Sequence, residues 1–402
     1  MSDFFQTGIV ATFHRLGRSN LEKIEAELTW YANERPIALV LPSLYAEIEG
    51  DALKGIIRKL KEVKYIKEIV VTLGPASEAE FNRARQFFSD LPQEVKIVWN
   101  TGGRVTDIYN EIESSDLPTG EHGKGRSAWM AYGYILSQQR FHGIALHDCD
   151  ILTYSRDMLA RLCYPVVNPN LDYDFCKGYY NRVTNKMHGR VTRLLVTPLI
   201  RALQKIIGHH PLLLFFDSFR YPLAGEFAMD VDLARVNRIP GDWGLEVGVL
   251  AEVYRNTAIR RVCQVDISEN YEHKHQELSP DDASKGLYKM CVDISKSIFR
   301  TLASEGIVFP AGFFKTLFAT YVSTAHDFLK RYEDDAAING LLFDRHDETL
   351  AIETFTNGIK KAAEIIMEDP LGVPLIASWD RVTSAIPDIL NKIHTAVEKD
   401  NK

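Results

Sequence analysis

Short apolar runs alternate with segments of helical periodicity along the first 150 residues of the chain. Four apolar runs predict buried β-strands, at residues 36–41, 67–73, 94–99 and 143–147. Apolar residues spaced three and four apart predict three helices, at residues 51–64, 77–91 and 126–138. This alternation predicts an α/β protein with a mostly parallel sheet covered by helices, in which ligands bind beyond the carboxyl ends of the strands.

The rest of the chain has a different pattern. Residues 165–270 are less regular, with many aromatic residues and short strand-like runs. From residue 280 the pattern is helical, and it predicts helices at 287–302, 312–331, 349–367 and 379–398. We therefore expect an α/β domain at 1–275, made of parts 30–152 and 153–275, and a helical extension at 276–402. The extension is a separate layer, a lid, a dimer surface or, as we favour, a region packed against the α/β domain.

Composition limits the classes of partner. The 402 residues include 54 acidic and 47 basic side chains, and the net charge of −7 argues against nucleic acid or an anionic membrane as the main partner. A basic pocket for a small anion is still allowed. The five cysteines are odd in number and lack CxxC spacing, which favours a reducing cytoplasm over a disulfide framework or zinc site. No apolar run approaches the roughly 20 residues of a membrane helix, and the first residues do not resemble a signal peptide.

The stretch GIALHDCDIL is the most informative of the chain. A buried strand leads directly into Asp148 and Asp150, whose side chains share one side of an extended backbone. Two adjacent carboxylates repel each other unless a cation joins them. Mg²⁺ or Mn²⁺ bound there would stabilise a departing diphosphate. A solvated loop is the alternative interpretation of this DxD motif.

Two other phosphate-handling classes fit these residues less well. A phosphotransferase of the haloacid dehalogenase type would have Thr or Val after DxDx near the chain start, whereas Leu152 occupies that place. A P-loop enzyme would have Ser or Thr after Gly-Lys, whereas Gly125 follows Gly123-Lys124.

Other segments carry candidate ligand-binding residues, each with a purely structural alternative. Gly123-Lys124-Gly125 precedes a helix, where an anion is favoured, although a simple helix-entry loop has the same sequence. The small residues of the PLAGE turn at 222–226 allow a sugar ring to lie against the backbone, and an ordinary loop is the alternative. Glu246, in GLEVG, is a carboxylate for sugar hydroxyls or proton transfer, or else a helix-start carboxylate.

Two basic or histidine-rich segments complete the set. His273 and His275 lie two residues apart in YEHKHQ, where a polar loop is the alternative. A basic cluster near Thr192 favours an anionic acceptor, or else forms a solvated face: Lys186, His188, Arg190 and Arg193.

In chain order, these segments resemble one family, the retaining GT-A glycosyltransferases that make glucosyl-3-phosphoglycerate, with glucosylglycerate and mannosyl-3-phosphoglycerate synthases as relatives. The matching motifs lie between residues 37 and 275: ALVLPSL, GKG, HDCDI, FCKGYY, GRVT, PLAGE, GLEVG and EHKH. The resemblance implies a GT-A fold with a C-terminal helical extension that contributes to homodimers. It also implies Mg²⁺- or Mn²⁺-dependent, retaining transfer of glucose from UDP-glucose or GDP-glucose to a small anionic acceptor, 3-phosphoglycerate.

The resemblance further implies roles for individual residues. Catalytic roles fall on Glu246, Asp150 and Ala224. The donor would be bound by Pro42, Ser43, Leu44, Glu47, Lys124, Asp148, Lys177, Gly178, Leu223 and Gly225. The metal ligands would be Asp150, His273 and Asp148. The acceptor would be bound by Arg190, Thr192 and His275.

Three segments depart from the family pattern and bear on nucleotide and acceptor contacts. They are Tyr45-Ala46-Glu47 in place of Asn-Glu-Glu, Leu73-Gly74-Pro75 in place of an aspartate-rich turn, and the residues that flank His273. The alternatives are therefore glucosyl or mannosyl transfer to free glycerate or another small acid, a non-catalytic sugar-nucleotide-binding protein, and a dimeric scaffold whose DxD is only a loop.

Overall fold

A computed structural model describes residues 5–6, 8–17, 20–273, 277–372 and 374–402. The strands in these ranges are β1 Ala11–Phe13, β2 Ile37–Ser43, β3 Ile66–Leu73, β4 Glu94–Trp99, β5 Gly143–Leu146, β6 Phe175–Tyr180, β7 Phe227–Asp230 and β8 Val262–Ser268. They form one sheet in the order β1-β8-β6-β7-β5-β2-β3-β4. Strand β7 runs antiparallel to its neighbours β5 and β6, and the other pairs are parallel. The predicted mostly parallel sheet is confirmed, with one reversed strand.

The central strands β2 and β5 are mostly apolar because helices cover both faces of the sheet. In β2, Ala38 and Val40 pack into the apolar cluster on one face, whereas Leu39 and Leu41 pack into the cluster on the other. Strand β2 lies beside β5 and parallel to it. The carboxyl ends of these two strands therefore meet at the same edge of the sheet, where the DxD motif follows β5.

Helices make up most of the remaining structure. The α-helices in the described residues are α1 Leu21–Tyr31, α2 Tyr45–Glu49, α3 Asp51–Leu60, α4 Glu78–Phe88, α5 Gly103–Glu113, α6 Lys124–Ser137, α7 Arg156–Val167, α8 Thr197–Ile207, α9 Pro211–Ser218, α10 Val231–Val236, α11 Leu245–Asn256, α12 Gly286–Ser304, α13 Ala311–Ile338, α14 Arg345–Glu368, α15 Trp379–Ala385 and α16 Ile389–Asp400. A π-helix spans Val191–Val196, and a 3₁₀-helix spans Ile259–Arg261.

Six of the predicted helices are confirmed as α3, α4, α6, α12, α13 and α14, with different ends. The prediction of one helix at 379–398 is wrong, because the chain forms α15 and α16 with Pro387 between them. Proline has no backbone N–H and disfavours the helical conformation of the residue before it, so the helix is interrupted there.

The region at 165–270, predicted to be less regular, contains four α-helices, α8 to α11, together with the π-helix and the 3₁₀-helix. Helix α8 has Pro198 in its first turn, and α9 begins at Pro211. Proline is tolerated in the first helical turn, since the N–H groups there have no intrahelical partner. These prolines therefore mark helix starts rather than breaks.

The C-terminal helices share the apolar core of the α/β region. Trp379 of α15 stacks on Trp129 of α6, with ring centroids 4.1 Å apart, and its indole Nε1 donates to the Trp129 carbonyl at 3.0 Å. Near the end of the chain, the Asn401 side chain exchanges two hydrogen bonds with the backbone of Ile97 on the edge strand β4. The extension is therefore packed against the α/β region. Across the described ranges, every helix is too short or too polar to span a bilayer.

Candidate active site

Strand β5 brings the DxD motif to the edge where the parallel strands end. The strand leads into His147, whose Nδ1 lies 3.0 Å from the carbonyl oxygen of Asp148 and whose Nε2 lies 3.1 Å from the hydroxyl of Tyr154. Burial lowers the pKa of His147 to about 4, so the ring is neutral at physiological pH. His147 is therefore neutral and has a hydrogen-bond partner at each ring nitrogen, which fixes the turn that carries Asp148 and Asp150.

Lys124 joins two carboxylates that are far apart in the sequence. Its Nζ lies 2.6 Å from Asp148 Oδ1 and 3.2 Å from Glu246 Oε1. Lys124 begins α6, and Glu246 lies in the first turn of α11, so two helix starts converge on the end of β5. Burial acts to lower the pKa of Lys124, but the two carboxylates outweigh it and raise that pKa, so the ammonium persists. Burial opposes ionisation of Asp148 as well, yet the Lys124 ammonium lowers its pKa.

The PLAGE turn lies directly against this charge cluster. A Cβ atom on Gly225 would come within 2.6 Å of Asp148 Oδ2 and 2.9 Å of Lys124 Nζ. A side chain at this position would displace the Asp148 and Lys124 end groups, so glycine lets them keep these positions. One residue earlier, the Ala224 carbonyl accepts a 2.7 Å hydrogen bond from the buried Lys177. Burial lowers the pKa of Lys177 to about 8.

Asp150 and His273 form a second polar pair beside Asp148. His273 Nδ1 lies 3.4 Å from Asp150 Oδ2, and Asp150 Oδ1 is buried with no hydrogen-bond partner in the described residues. Burial, with the carboxylates of Asp150 and Asp148, raises the pKa of Glu47 to about 7. An unsatisfied carboxylate oxygen among mutually repelling carboxylates suits a divalent cation. Within the described ranges, no three His, Cys, Asp or Glu side chains already converge as a complete metal site.

A cavity of about 700 Å³ opens beside these groups. Lys124, Asp148 and Glu246 line one part of it, and the basic residues at 186–193 line another. The chain enters this second part through Gly189, whose φ of +75° favours glycine, and continues as the π-helix. Such π-helical turns are frequent at functional sites. Helices α12 and α14 of the extension also contribute to the wall, with Met290 and Glu348 among the lining residues.

Comparison with known proteins identifies the family of the chain. No family model matches it. The glucosyl-3-phosphoglycerate synthase of Persephonella marina is 49% identical over 401 residues, covering 100% of this chain and 99% of the relative. The chain belongs to the glucosyl-3-phosphoglycerate synthase family. The synthase of the same name from Methanococcoides burtonii is 38% identical over 405 residues, covering 100% of this chain and 98% of that relative.

A solved structure of the same name has the same fold. The glucosyl-3-phosphoglycerate synthase of Mycobacterium tuberculosis, in complex with Mn²⁺, UDP-glucose and phosphoglyceric acid, matches with a TM-score of 0.52 at 19% identity. The match covers 75% of this chain and 89% of that chain. The GT-A fold with a C-terminal helical region, predicted from the sequence, is therefore confirmed.

The cavity of this glucosyl-3-phosphoglycerate synthase family member brings together half of the predicted site residues that lie in the described part of the chain. Those that line it are Lys124, Asp148, Arg190, Thr192, Leu223, Gly225, Glu246 and His273. The predicted residues that do not line it, in the part of the chain described, are Pro42, Ser43, Leu44, Glu47, Asp150, Lys177, Gly178 and Ala224. The roles in both groups stay predictions. His275 lies outside the described residues.

Sequence patterns did not indicate two of the polar contacts around the cavity. Glu348 accepts a 2.7 Å hydrogen bond from Arg190 Nε across 158 residues of sequence. An acidic residue in the first turn stabilises a helix through the helix dipole, which already explains Glu348 in the sequence RHDETL. The sequence therefore gives no sign of a contact with a distant arginine. The second contact is the 2.6 Å hydrogen bond that the Tyr271 hydroxyl donates to the buried Glu226. The one sequence signal for this contact is that Glu226 directly precedes an apolar stretch.

Proposed function

We propose that this chain transfers glucose from a nucleoside diphosphate glucose to the 2-hydroxyl of 3-phosphoglycerate, with retention of anomeric configuration. The observation that carries the proposal is a single cavity with the Lys124–Asp148–Glu246 cluster at one part and Arg190 and Arg193 at another. Together with a divalent cation, the first cluster suits a sugar diphosphate, and the two arginines suit an acidic acceptor. Full-length identity of 49% to a synthase of this name supports the same reaction.

A divalent cation belongs to the proposal, because the Mycobacterium tuberculosis synthase is complexed with Mn²⁺ and UDP-glucose. Asp150 and His273 fit such an ion, since Asp150 Oδ1 is buried without a partner among the described residues. Asp148 lies beside them and would complete the protein's share of the ligands. When bound, Mg²⁺ or Mn²⁺ neutralises the charge that grows on the departing diphosphate.

The residues of the chain would position both substrates. The Lys124 ammonium gives the donor side a fixed positive charge, and Glu246 offers a carboxylate to the sugar hydroxyls. Because Gly225 has no side chain, the sugar can approach Asp148 and Lys124 along the backbone. In the reaction, the bond from glucose C1 to the diphosphate oxygen breaks, the acceptor oxygen bonds to C1, and the proton of the acceptor hydroxyl passes to the departing nucleoside diphosphate. We assign no residue the role of nucleophile.

The proposal also covers the domain roles, the cellular compartment and the oligomeric state. Residues 1–275 form the catalytic domain and 276–402 the extension, and the chain works as a homodimer in the cytoplasm. Five buried cysteines without disulfides support a reducing compartment. The homodimer rests on the family resemblance, in which the C-terminal helical extension contributes to dimers. Sedimentation analysis measures the assembly state directly.

Nucleotide binding tests the donor side of the proposal. We expect UDP with Mn²⁺ to raise the unfolding temperature, since a ligand that binds only the folded state stabilises it by mass action. UDP without metal and ADP with metal are the controls. A shift with GDP in place of UDP would make GDP-glucose the donor. No shift with any of these nucleotides at millimolar concentration would contradict a donor site in the cavity.

Substitution of Lys124 by methionine tests the charge cluster. The change leaves Asp148 and Glu246 without their shared cation, so we expect kcat to fall about a hundredfold, as for loss of one preorganised electrostatic group. Lys59→Met, on the exposed face of α3, is the matched control and should have wild-type kinetics. Steady-state kinetics with saturating acceptor measures both variants. Unchanged kcat in Lys124→Met would exclude the cluster from catalysis.

A further inference from the structure

The C-terminal extension builds part of the wall of the acceptor side of the cavity. The segment between α13 and α14 lies along the segment that precedes Gly189. Leu342 N donates to the Asn185 carbonyl at 2.8 Å, and Leu342 also forms a parallel bridge with Lys186. Asp344 is the N-cap residue of helix α14, and its side chain accepts a hydrogen bond from Asp347 N at 3.0 Å. The first turn of α14 is thereby held against the residues of the GRVT segment.

Glu348, in that first turn, lies between two arginines. Its Oε1 accepts from Arg190 Nε at 2.7 Å, and its Oε2 lies 2.9 Å from Arg193 Nη2. The side chains of Glu348 and Arg193 are only 6% and 11% exposed. A carboxylate so far from water is costly unless it is paired, so the carboxylate and the two guanidinium groups hold one another. The neighbouring Asp347 is mostly exposed and lies 3.7 Å from Arg190 Nη2, where solvent weakens its effect.

Arg193 is held by several contacts, yet one of its guanidinium nitrogens has no hydrogen-bond partner in the described residues. Its Nε donates to the His188 carbonyl at 2.9 Å, and its guanidinium carbon lies 4.9 Å from the centroid of the Tyr332 ring. Neither Arg193 Nη1 nor Thr192 Oγ1, both buried, has a hydrogen-bond partner in the ranges that the structure covers. Both residues line the cavity. Because buried polar groups are nearly always satisfied, these two atoms point to a bound polar group.

We propose that Arg193 binds the anionic end of the acceptor together with Arg190 and Thr192, and that Glu348 is the positioning residue for both guanidinium groups. This inference rests on the proposed function, which makes the acceptor 3-phosphoglycerate. Two arginines and one glutamate leave a net positive charge, so a phosphate or carboxylate is still attracted. Without Glu348 the guanidinium groups repel each other and their long side chains lose a fixed orientation.

Kinetics of Glu348 variants test the proposal. Glu348→Gln keeps the shape and removes the charge, and we expect the KM for 3-phosphoglycerate to rise about tenfold, as expected for loss of a buried charge partner. Glu348→Ala should raise it further, and Glu348→Asp, which restores the charge, should recover part of the loss. The KM for UDP-glucose should stay within about twofold, because the donor side is untouched. Glu353→Gln, an exposed glutamate on the same helix, is the matched control.

Binding without turnover keeps the test independent of folding and of catalysis. Calorimetric titration of 3-phosphoglycerate into each folded variant should give the same order of affinities. If Glu348→Ala does not fold, Glu348→Gln and Arg193→Lys carry the test. Arg193→Lys should weaken acceptor binding about tenfold, because lysine lacks the planar fork of donors.

Three outcomes would overturn the inference. An unchanged acceptor KM in Glu348→Gln would remove Glu348 from the acceptor site. A lower acceptor KM would mean that Glu348 competes with the acceptor for the arginines. Equal rises in the donor and acceptor KM values would mean a general structural role. Failure of the proposed function is distinguishable, because it would appear as a wild-type protein that transfers no glucose to 3-phosphoglycerate.

Discussion

Replacing Asp150 by asparagine is expected to lower kcat/KM for glucose transfer about a thousandfold or more, since a metal-bound leaving group is stabilised by several kcal/mol. The substitution is nearly isosteric and removes one charge. Asp150 Oδ1 has no partner in the described residues, and Asp150 adds to the repulsion that raises the pKa of Glu47. Loss of this charge therefore relieves repulsion, and the unfolding temperature should stay the same or rise. Initial rates with Mn²⁺ and calorimetric unfolding measure the two effects.

Asp172→Asn is the matched control for this substitution. Asp172 is 58% exposed and pairs with Arg261 at 2.7 Å, and such surface pairs contribute little. Both its activity and its stability should match the wild type. Wild-type activity in Asp150→Asn would remove Asp150 from the cation site. A fall in activity together with a fall in unfolding temperature would instead make its role structural.

Replacing Trp379 by alanine is expected to cost about 3 to 5 kcal/mol of folding free energy, as for other buried aromatic truncations. Trp379 is fully buried, stacks on Trp129 and donates a hydrogen bond to its backbone. The site should suffer as well, because Trp129 lies on α6, the helix that begins with Lys124. Denaturant unfolding measures the loss of stability. Activity per folded molecule shows whether the extension supports the donor side.

Trp30→Ala is the matched control for Trp379. Trp30 is 67% exposed on α1, so its removal should change stability by no more than about 0.5 kcal/mol. Similar losses in both variants would mean that tryptophan truncation is costly wherever it occurs in this chain. A small loss in Trp379→Ala alone would contradict the tight packing of the extension on α6.

The elements that sequence predicts best are those with a single strong pattern. Strand β2 has an unbroken apolar run because both of its faces are covered, and α3 has a clear stripe from Leu53 to Leu60. The DxD motif was predictable because it follows a buried strand directly. Helices α8 and α9 were missed because Pro198 and Pro211 at their starts resemble breaks in the pattern.

Contacts between distant residues are what sequence patterns cannot supply. Lys124 and Glu246 both belong to motifs of the family resemblance, but their meeting at Asp148 depends on two helix starts converging at the end of β5. Glu348 belongs to no motif, and its place beside Arg190 follows from how α14 packs. Side-chain pairing across a fold depends on tertiary geometry, so it becomes visible only in the structure.

The most direct test of the central claim is a time course by nuclear magnetic resonance of the wild-type protein with UDP-glucose, Mn²⁺ and 3-phosphoglycerate. The account predicts equal amounts of UDP and one new glucoside, with the α-anomeric configuration of the donor retained and the bond at the 2-hydroxyl of the acceptor. No transfer from either UDP-glucose or GDP-glucose, or hydrolysis of the donor to free glucose with 3-phosphoglycerate left intact, would contradict it.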